Sequence, residues 1–267
     1  MSKKTRVDLH NHTTLCNHAT GSVEEYVKRA IELGIDEYGF ACHAPMNFDP
    51  KYRMKLEERT LYEKWVNEVK EKYKDKIKVL LGYEVDFLNG FMLDEILNAN
   101  VDYLIGSVHF LQNKNEMWGF DNPEFIGVYK SVDIDKIWED YFDAIEAMAK
   151  TNYFQIVGHL DLIKVFKFLP KKDVRLIAKN ALKQIKKSNM ILELNPAGLR
   201  KPIEETYPSK ALLEEAFDLG INITFGSDAH SVEHVGFGYS EISSLAKELG
   251  YTKCATFYKK EMNLIEF

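Results

Sequence analysis

Seven of the eight histidines in this 267-residue sequence lie at or just beyond the ends of short apolar runs, as do two of its carboxylates. Imidazole nitrogens and carboxylate oxygens are suitable ligands for Zn, Mn or Fe ions. The three cysteines lack the spacing of a structural zinc site, which favours an open catalytic site. The candidate metal ligands are His10, His12, His18, His43, Glu84, His109, His159, Asp228 and His230.

The number of these histidines carries more information than any single motif. A lone His-x-His pair such as His10 and His12 is a weak signal, because most isolated histidines are ordinary core or surface residues. Chance placement of seven histidines at the ends of such runs is improbable, so we interpret them as one constellation. Glu84 is the only acidic residue placed at the end of a middle strand. We therefore predict that Glu84 bridges two ions.

The elements that position these ligands follow a regular alternation of short β-branched or aromatic runs with longer segments of helical periodicity. This pattern indicates an α/β fold, and ligands at the ends of parallel strands are typical of the catalytic rim of a β/α barrel. The predicted strands are residues 6–10, 37–42, 78–84, 103–109, 154–159, 190–195 and 222–225. The predicted helices are residues 23–33, 56–73, 92–98, 134–150, 171–187, 210–219 and 241–249.

The chain shows no linker, low-complexity tract or internal repeat, so we predict that residues 1–267 form a single domain. Glycines stand where three of the predicted helices end, at Gly34, Gly220 and Gly250. The least regular stretches are residues 45–55, 112–132 and 195–208, and long loops of a barrel usually carry function.

Composition limits the class of partner. The net charge of -6 argues against the basic stripe of a nucleic-acid binder, which leaves a small molecule as the expected partner. No apolar run approaches the roughly 18–20 residues of a membrane span, and residues 1–6 lack the apolar stretch of a signal peptide. We therefore expect a cytoplasmic protein with free thiols and with neither a membrane nor a nucleic-acid partner.

Taken together, the motifs resemble the polymerase-and-histidinol-phosphatase (PHP) superfamily of metal-dependent phosphoesterases over nearly the whole chain. Cys16-Asn17-His18 and His43 belong to this pattern. The other motifs are Asp8-Leu9-His10-Asn11-His12, Gly82-Tyr83-Glu84, Ser107-Val108-His109, Gly158-His159 and Gly226-Ser227-Asp228-Ala229-His230.

The resemblance implies a distorted (β/α)7 barrel of the TIM type with two or three divalent ions, Zn, Mn or Fe. By similarity, the ligands of the first ion are His10, His12, Glu84 and Asp228. Those of the second are Glu84, His109 and His159, and those of the third are His18, His43 and His230. We expect Glu84, Asp228 and His230 to be catalytic as well as metal-binding, with a metal-bound hydroxide attacking a phosphate monoester.

One further segment is similar to the histidinol-phosphate phosphatase branch of the superfamily. Residues 195–201 read Asn-Pro-Ala-Gly-Leu-Arg-Lys and are followed by Glu205-Thr206-Tyr207-Pro208. The implied reaction is hydrolysis of L-histidinol phosphate to L-histidinol and phosphate, a step of histidine biosynthesis. Arg200 is the first candidate to bind the phosphate, and Lys164 is the second. The alternatives are a phosphoesterase acting on nucleotides or nucleic-acid ends and, more remotely, a non-enzymatic metal-binding module.

Several residues beside these motifs have interpretations that the sequence leaves open. Cys16 and Cys42 are interpreted as fillers of small apolar gaps rather than thiolate ligands. His234 is interpreted as an ordinary loop histidine, and Asp161 either orients a histidine or caps a helix. The aromatic segment 117–121 either lines a small organic pocket or packs as core or lid.

Overall fold

Seven short parallel strands form one sheet in the computed structural model, which describes residues 4–113 and 116–267. Residues 1–3 of the N-terminal stretch and residues 114–115 of the predicted loop 112–132 lie outside the described part. The sheet order is β1-β2-β3-β4-β7-β8-β9. These strands are β1 Val7–Asp8, β2 Glu37–His43, β3 Lys78–Asp86, β4 Tyr103–Ser107, β7 Ile156–Val157, β8 Ile191–Leu194 and β9 Ile223–Phe225.

Hydrogen bonds between the two outermost strands close the sheet into a barrel. The Leu9 amide donates to the Phe225 carbonyl at 2.8 Å, and the Asp228 amide donates to the His10 carbonyl at 2.8 Å. Just beyond the strand ends, the His12 amide donates to the Ala229 carbonyl at 2.9 Å. The predicted seven-stranded barrel is therefore confirmed, and its seam lies between the two segments that carry the most candidate ligands.

In the part of the chain that the structure describes, seven α-helices connect and cover the strands. The first ends before Gly34 and the last at Gly250, and both glycines have the positive φ that suits a helix terminus, 69° and 108°. No helix in the described residues is long and apolar enough to span a membrane. The helices are α1 Val23–Glu32, α2 Arg59–Lys72, α3 Asp94–Leu97, α4 Ile134–Lys150, α5 Val174–Lys187, α6 Lys210–Asp218 and α7 Tyr239–Leu249.

Two antiparallel hairpins were not predicted from the sequence. The first pairs β5 Phe110–Asn113 with β6 Glu116–Gly119, and it stands inside a stretch that was predicted to be irregular. The second pairs β10 Lys253–Tyr258 with β11 Glu261–Glu266 at the C-terminal end. A 3₁₀ helix, Pro123–Ser131, follows the first hairpin. The stretch 112–132 is therefore largely ordered structure beside the strand ends.

The interior of the barrel is filled by a tyrosine that two glycines accommodate. Tyr103 is fully buried and its hydroxyl donates to the Leu9 carbonyl at 2.6 Å. A Cβ atom at Gly39 would lie 2.0 Å from that hydroxyl, and one at Gly82 would lie 2.6 Å from the ring. Because alternate strand residues share a face, Glu84 projects from the same side of β3 as Gly82. The tyrosine thus packs inside the barrel, below the strand ends that carry the ligands.

Asp8 joins the first and last strands of the barrel from below the ligands. Its buried carboxylate accepts hydrogen bonds from the Ser227 amide at 2.9 Å, the Ser227 hydroxyl at 2.7 Å, the Asn11 side chain at 3.1 Å and the Gly236 amide at 3.1 Å. Burial raises the pKa of this carboxyl, while those bonds lower it. Asp8 therefore fixes the two ligand-bearing loops to one another without being a ligand itself.

Candidate active site

Four predicted ligands converge at the closed seam of the barrel. His10 Nε2 lies 3.1 Å from His12 Nε2 and 3.3 Å from Glu84 Oε2, and His12 Nε2 lies 3.1 Å from Asp228 Oδ1. Tetrahedral coordination with bonds of 2.0–2.2 Å separates ligand atoms by about 3.3 Å. The spacing of these side chains therefore fits one divalent transition-metal ion.

The two oxygens of Glu84 face different groups of histidines. Oε2 faces the seam and also lies 2.9 Å from His43 Nδ1. Oε1 lies 2.9 Å from His159 Nε2, 3.7 Å from His109 Nε2 and 2.7 Å from the Ser107 hydroxyl. A carboxylate with imidazoles on both sides has the geometry of a bridge between two ions, as the sequence predicted.

The remaining three predicted ligands lie side by side at the mouth of the barrel. The ring centroids of His18 and His43 are 5.3 Å apart, those of His18 and His230 are 4.6 Å apart, and those of His43 and His230 are 6.0 Å apart. The tightest groups of ligand atoms here are mixed, joining His43 and His230 with His12, and His18 and His230 with Cys16. A third ion at this place would draw on some of these five side chains.

Two acidic residues that were not predicted from the sequence orient two of the histidines. Glu193 Oε1 accepts from His10 Nδ1 at 2.6 Å, and Asp86 accepts from His109 Nδ1. Each bond places the proton on Nδ1 and leaves Nε2 to face Glu84. The claim that Glu84 is the only acidic residue closing a middle strand is wrong, because β3 extends to Asp86 and β8 carries Glu193.

The missed carboxylates are themselves held by further contacts. Glu193 Oε2 accepts from the His159 amide at 2.9 Å and from the Asn195 side chain at 3.1 Å, while Asp86 pairs with Arg53 at 2.6 Å. The sequence did offer a signal for Asp86. Alternate residues of a strand share a face, and Asp86 lies two residues beyond Glu84, so both carboxylates project from the same face. These residues form a second layer around the ligands.

The charges of the cluster compensate one another in a buried setting. Burial would raise the pKa of Glu84, but His43 and His10 hold it well below its usual value. Burial would lower the pKa of His12, but its bond to Asp228 raises it to about 9. Burial and the neighbouring His12 lower the pKa of His230 far below the usual value for an imidazole. The cluster thus contains ionised carboxylates and at least one neutral imidazole, the forms that bind metals.

The hydrogen bonding of the candidate ligand atoms also agrees with a metal site. His159 Nδ1 and His230 Nε2 are buried and have no hydrogen-bond partner among the described residues. Buried polar atoms are otherwise almost always partnered. Two ligands also have left-handed backbone conformations, with φ of 52° at Asp228 and 21° at His159, and such strain is concentrated at functional sites. The residues present therefore fit divalent transition-metal ions.

A cavity of about 770 Å³ opens above the cluster. The predicted phosphate ligand Arg200 lines it, and so does His234, whose Nδ1 is buried without a hydrogen-bond partner. His234 therefore belongs to the cavity wall, in contrast to the ordinary loop position inferred from sequence. The hairpin contributes Phe110 and Met117 to the same wall. The pocket interpretation of the aromatic segment holds for Met117, while Trp118 and Phe120 are buried in the core.

Lys164 lies away from this cavity. Its ammonium contacts Asp161 at 2.9 Å, Glu205 at 2.6 Å and the Thr206 carbonyl at 2.8 Å, so its three donors are all engaged. We do not retain Lys164 as a phosphate ligand for that reason. Asp161 accepts from the amide of Ser209, the residue preceding α6, at 2.9 Å, and it makes no helix-capping hydrogen bond of its own. Among the described residues its observed role is to pair with Lys164 and to hold the start of α6, and neither of the two roles predicted from the sequence is seen.

Models of two known protein families match this chain. The PHP domain family matches residues 8–197, and the PHP-associated family matches residues 213–249. A probable histidinol-phosphatase from Deinococcus radiodurans is 36% identical over 260 residues, covering 96% of this chain and 97% of the relative. The histidinol-phosphatase of Bacillus subtilis is 29% identical over 261 residues, covering 87% of this chain and 96% of the relative.

A solved structure shares the architecture. It is a histidinol phosphate phosphatase from Lactococcus lactis, complexed with Zn, L-histidinol and phosphate, with a TM-score of 0.78 and 23% identity, covering 98% of this chain and 99% of that one. At this identity the likeness establishes the fold, and it agrees with the barrel described above. The family match includes most of the strands that carry the ligands, from Asp8 to Ala197. The chain belongs to the PHP domain family.

Proposed function

We propose that this chain hydrolyses L-histidinol phosphate to L-histidinol and phosphate, using two or three divalent ions of Zn, Mn or Fe. The observation that carries the proposal is a half-buried guanidinium, that of Arg200, on the cavity wall beside Asp228. The names of the curated relatives, histidinol-phosphatase in Deinococcus radiodurans and Bacillus subtilis, support the choice of substrate. The reaction is a phosphate monoester hydrolysis.

Arg200 is arranged to bind an anion. Its Nη2 donates to the Ser227 and Asp228 carbonyls, both at 3.2 Å, and its guanidinium lies 4.5 Å from the centroid of the Phe237 ring. Nη1 is buried and has no hydrogen-bond partner among the described residues. Desolvation lowers the pKa of Arg200, and an incoming phosphate would compensate this cation, which forms no ion pair with a carboxylate among the described residues.

The metal ions would be held by the nine predicted ligands, with Glu84 between the first two. Bound divalent ions supply a nucleophilic water of lowered pKa and stabilise negative charge on a phosphoryl group. The chain's own part is to orient those ligands through Glu193 and Asp86 and to bind the phosphate through Arg200. No covalent attachment of phosphate to the protein is required.

Other side chains of the cavity wall suit the organic part of the substrate. Phe48 and Phe110 lie there with their rings edge to face, 5.1 Å between centroids, and Asp121 adds a carboxylate. Histidinol carries an ammonium and an imidazole, for which a carboxylate and aromatic faces are suitable partners. The cavity wall therefore offers a phosphate-binding cation together with acidic and aromatic side chains.

The test is phosphate release by the metal-loaded full chain from histidinol phosphate, a nucleoside monophosphate, an aryl phosphate and single-stranded DNA. We expect kcat/KM for histidinol phosphate to exceed that for the nucleotide by at least about a hundredfold, because buried polar groups left unpaired penalise the wrong substrate. The Glu84→Gln variant, purified identically, controls for contaminating phosphatases. Equal or faster cleavage of nucleotide or DNA would refute the substrate and leave phosphoester hydrolysis standing.

A further inference from the structure

Two of the three cysteines lie close to a candidate metal ligand, and neither of them lines the cavity. Cys16 and Cys42 are fully buried, free thiols. The candidate ligand atoms of His12, Cys16 and Cys42 all lie within 4.8 Å of one another. The Cys42 sulfur accepts from the Thr13 amide at 3.4 Å and from the Thr13 hydroxyl at 3.2 Å. Two donors directed at one sulfur stabilise negative charge on it, whereas in its protonated form Cys42 donates to the Thr13 carbonyl at 3.6 Å.

Two orphaned polar atoms adjoin this cluster. His12 uses Nε2 toward His10 and Asp228, whereas its Nδ1 is buried and has no hydrogen-bond partner within residues 4–113 and 116–267. In the same described part of the chain, the hydroxyl of Tyr26, a residue that is 1% exposed, also has no partner. Burial and both cysteines raise the pKa of Tyr26, so its hydroxyl is within electrostatic range of the two sulfurs. Unpartnered buried polar atoms of this kind call for an explanation, and an ion at this place would supply one.

We propose that His12, Cys16 and Cys42 form a binding site for a thiophilic divalent cation such as Zn²⁺ or Cd²⁺, which shares only His12 with the ligands of the first ion of the phosphatase reaction. In a tetrahedral site, metal–sulfur bonds of about 2.3 Å and metal–nitrogen bonds of about 2.0 Å separate the three ligand atoms by roughly 3.5–3.8 Å. The present spacing allows this with small movements. Thiolates favour soft and borderline cations over Mg²⁺ or Ca²⁺.

The charge and proton balance of binding is simple. Each thiol loses one proton as its sulfur binds, so one divalent ion replaces two protons and no electron is transferred. His12 would contact the thiophilic ion through Nδ1 and the first catalytic ion through Nε2, which requires loss of the remaining imidazole proton, so a third proton leaves when both ions are bound. The site is therefore structural, and it fixes the ring that the catalytic cluster also uses.

The experiment is a titration of the metal-stripped full chain with Cd²⁺, read by the ultraviolet charge-transfer absorption of thiolate–cadmium bonds. The nitrogen and oxygen ligands of the catalytic cluster give no such band. Because the stripped catalytic sites also take up Cd²⁺, we expect the band of the wild type at saturation to have the intensity of one cadmium ion bound to two thiolates. It should persist in Cys254→Ser, the matched control, because this buried thiol lies in the C-terminal hairpin. It should be lost in both Cys16→Ser and Cys42→Ser.

Two outcomes would overturn the proposal. One is a wild-type protein without the band. The other is a band that survives in Cys42→Ser but not in Cys16→Ser, which would instead assign Cys16 to a site with His18 and His230. If a serine variant fails to fold, cadmium NMR of the wild type decides the question. A resonance shifted downfield by two sulfur ligands supports the site, and the absence of such a resonance refutes it.

Discussion

Glu193 is the residue whose replacement tests the second layer of the site most sharply. Its two oxygens receive three hydrogen bonds, from His10 Nδ1 on one side and from the His159 amide and the Asn195 side chain on the other. Glu193→Gln preserves the shape and offers one acceptor and one donor. Whichever way the new amide points, one side loses its acceptor. If its nitrogen faces His10, the imidazole proton moves to Nε2 and blocks the metal-binding atom.

The size of the effect follows from the bonds that are lost. A hydrogen bond to a charged group contributes about 1.5–3 kcal/mol. Loss of a carboxylate that orients a metal-bound histidine weakens metal affinity by about 10- to 100-fold, or roughly 1.4–2.7 kcal/mol. The two estimates agree because they describe the same contact. We therefore expect Glu193→Gln to bind its first ion 10- to 100-fold more weakly, with phosphatase activity restored in part by excess metal.

The assay is competition for Zn²⁺ between the metal-stripped protein and a chelator of known affinity, followed by activity at rising metal concentration. Glu248→Gln is the matched control, since that carboxylate is 62% exposed and pairs with Lys210 on the surface. Metal affinity of Glu193→Gln equal to that of the wild type would refute the orienting role. A fall in activity that no metal concentration relieves would also count against it.

Two further replacements give separate readouts. Arg200→Ala should lower kcat/KM for histidinol phosphate roughly 10- to 150-fold, the equivalent of about 1.5–3 kcal/mol for a lost charged hydrogen bond, with metal content unchanged. The exposed Arg175→Ala is its control, and an unaltered kcat/KM would remove Arg200 from the site. Lys164→Met should reduce the free energy of unfolding by about 3–5 kcal/mol, because buried Asp161 loses its cation, whereas Lys167→Met on the surface should change it by less than about 0.5 kcal/mol. Equal stabilities measured by denaturant unfolding would contradict the buried ion pair.

The strand-end ligands were predictable because they depend on local pattern. Parallel strands expose their carboxyl ends at one rim, so residues such as Glu84, His109 and His159 had to approach one another once the strands were recognised. The spacing of apolar runs indicated those strands, and the structure confirms them. The organisation of the chain as a single domain stays a prediction.

The second layer was less accessible to sequence reasoning because its contacts join distant segments. Glu193 meets His10 across 183 residues, and only the closed barrel brings them together. Lys164 illustrates the opposite error, in which a cation near a ligand motif suggested phosphate binding. Its acceptors, Glu205 and Thr206, lie 41 and 42 residues away and became apparent only in the fold.

The C-terminal hairpin was missed for a local reason. Its two turn residues, Lys259 and Lys260, have φ of 48° and 68°, which is the left-handed pair of a type I′ turn. Asn-Gly is the usual signature of such a turn, and a Lys-Lys pair gives no warning of it. Packing of β10 beside β9 evidently outweighs the backbone preference of the lysines, since Thr224 donates to the Ala255 carbonyl at 2.8 Å.

The most direct test of the account is to remove all metal from the full chain and measure phosphate release from histidinol phosphate as Zn²⁺, Mn²⁺ or Fe²⁺ is returned. The metal-free protein should be inactive, and the rate should continue to rise beyond one bound equivalent, because Glu84 faces two groups of ligands. Full activity in the metal-free protein would contradict the account, and saturation at one equivalent would contradict the bridging role of Glu84.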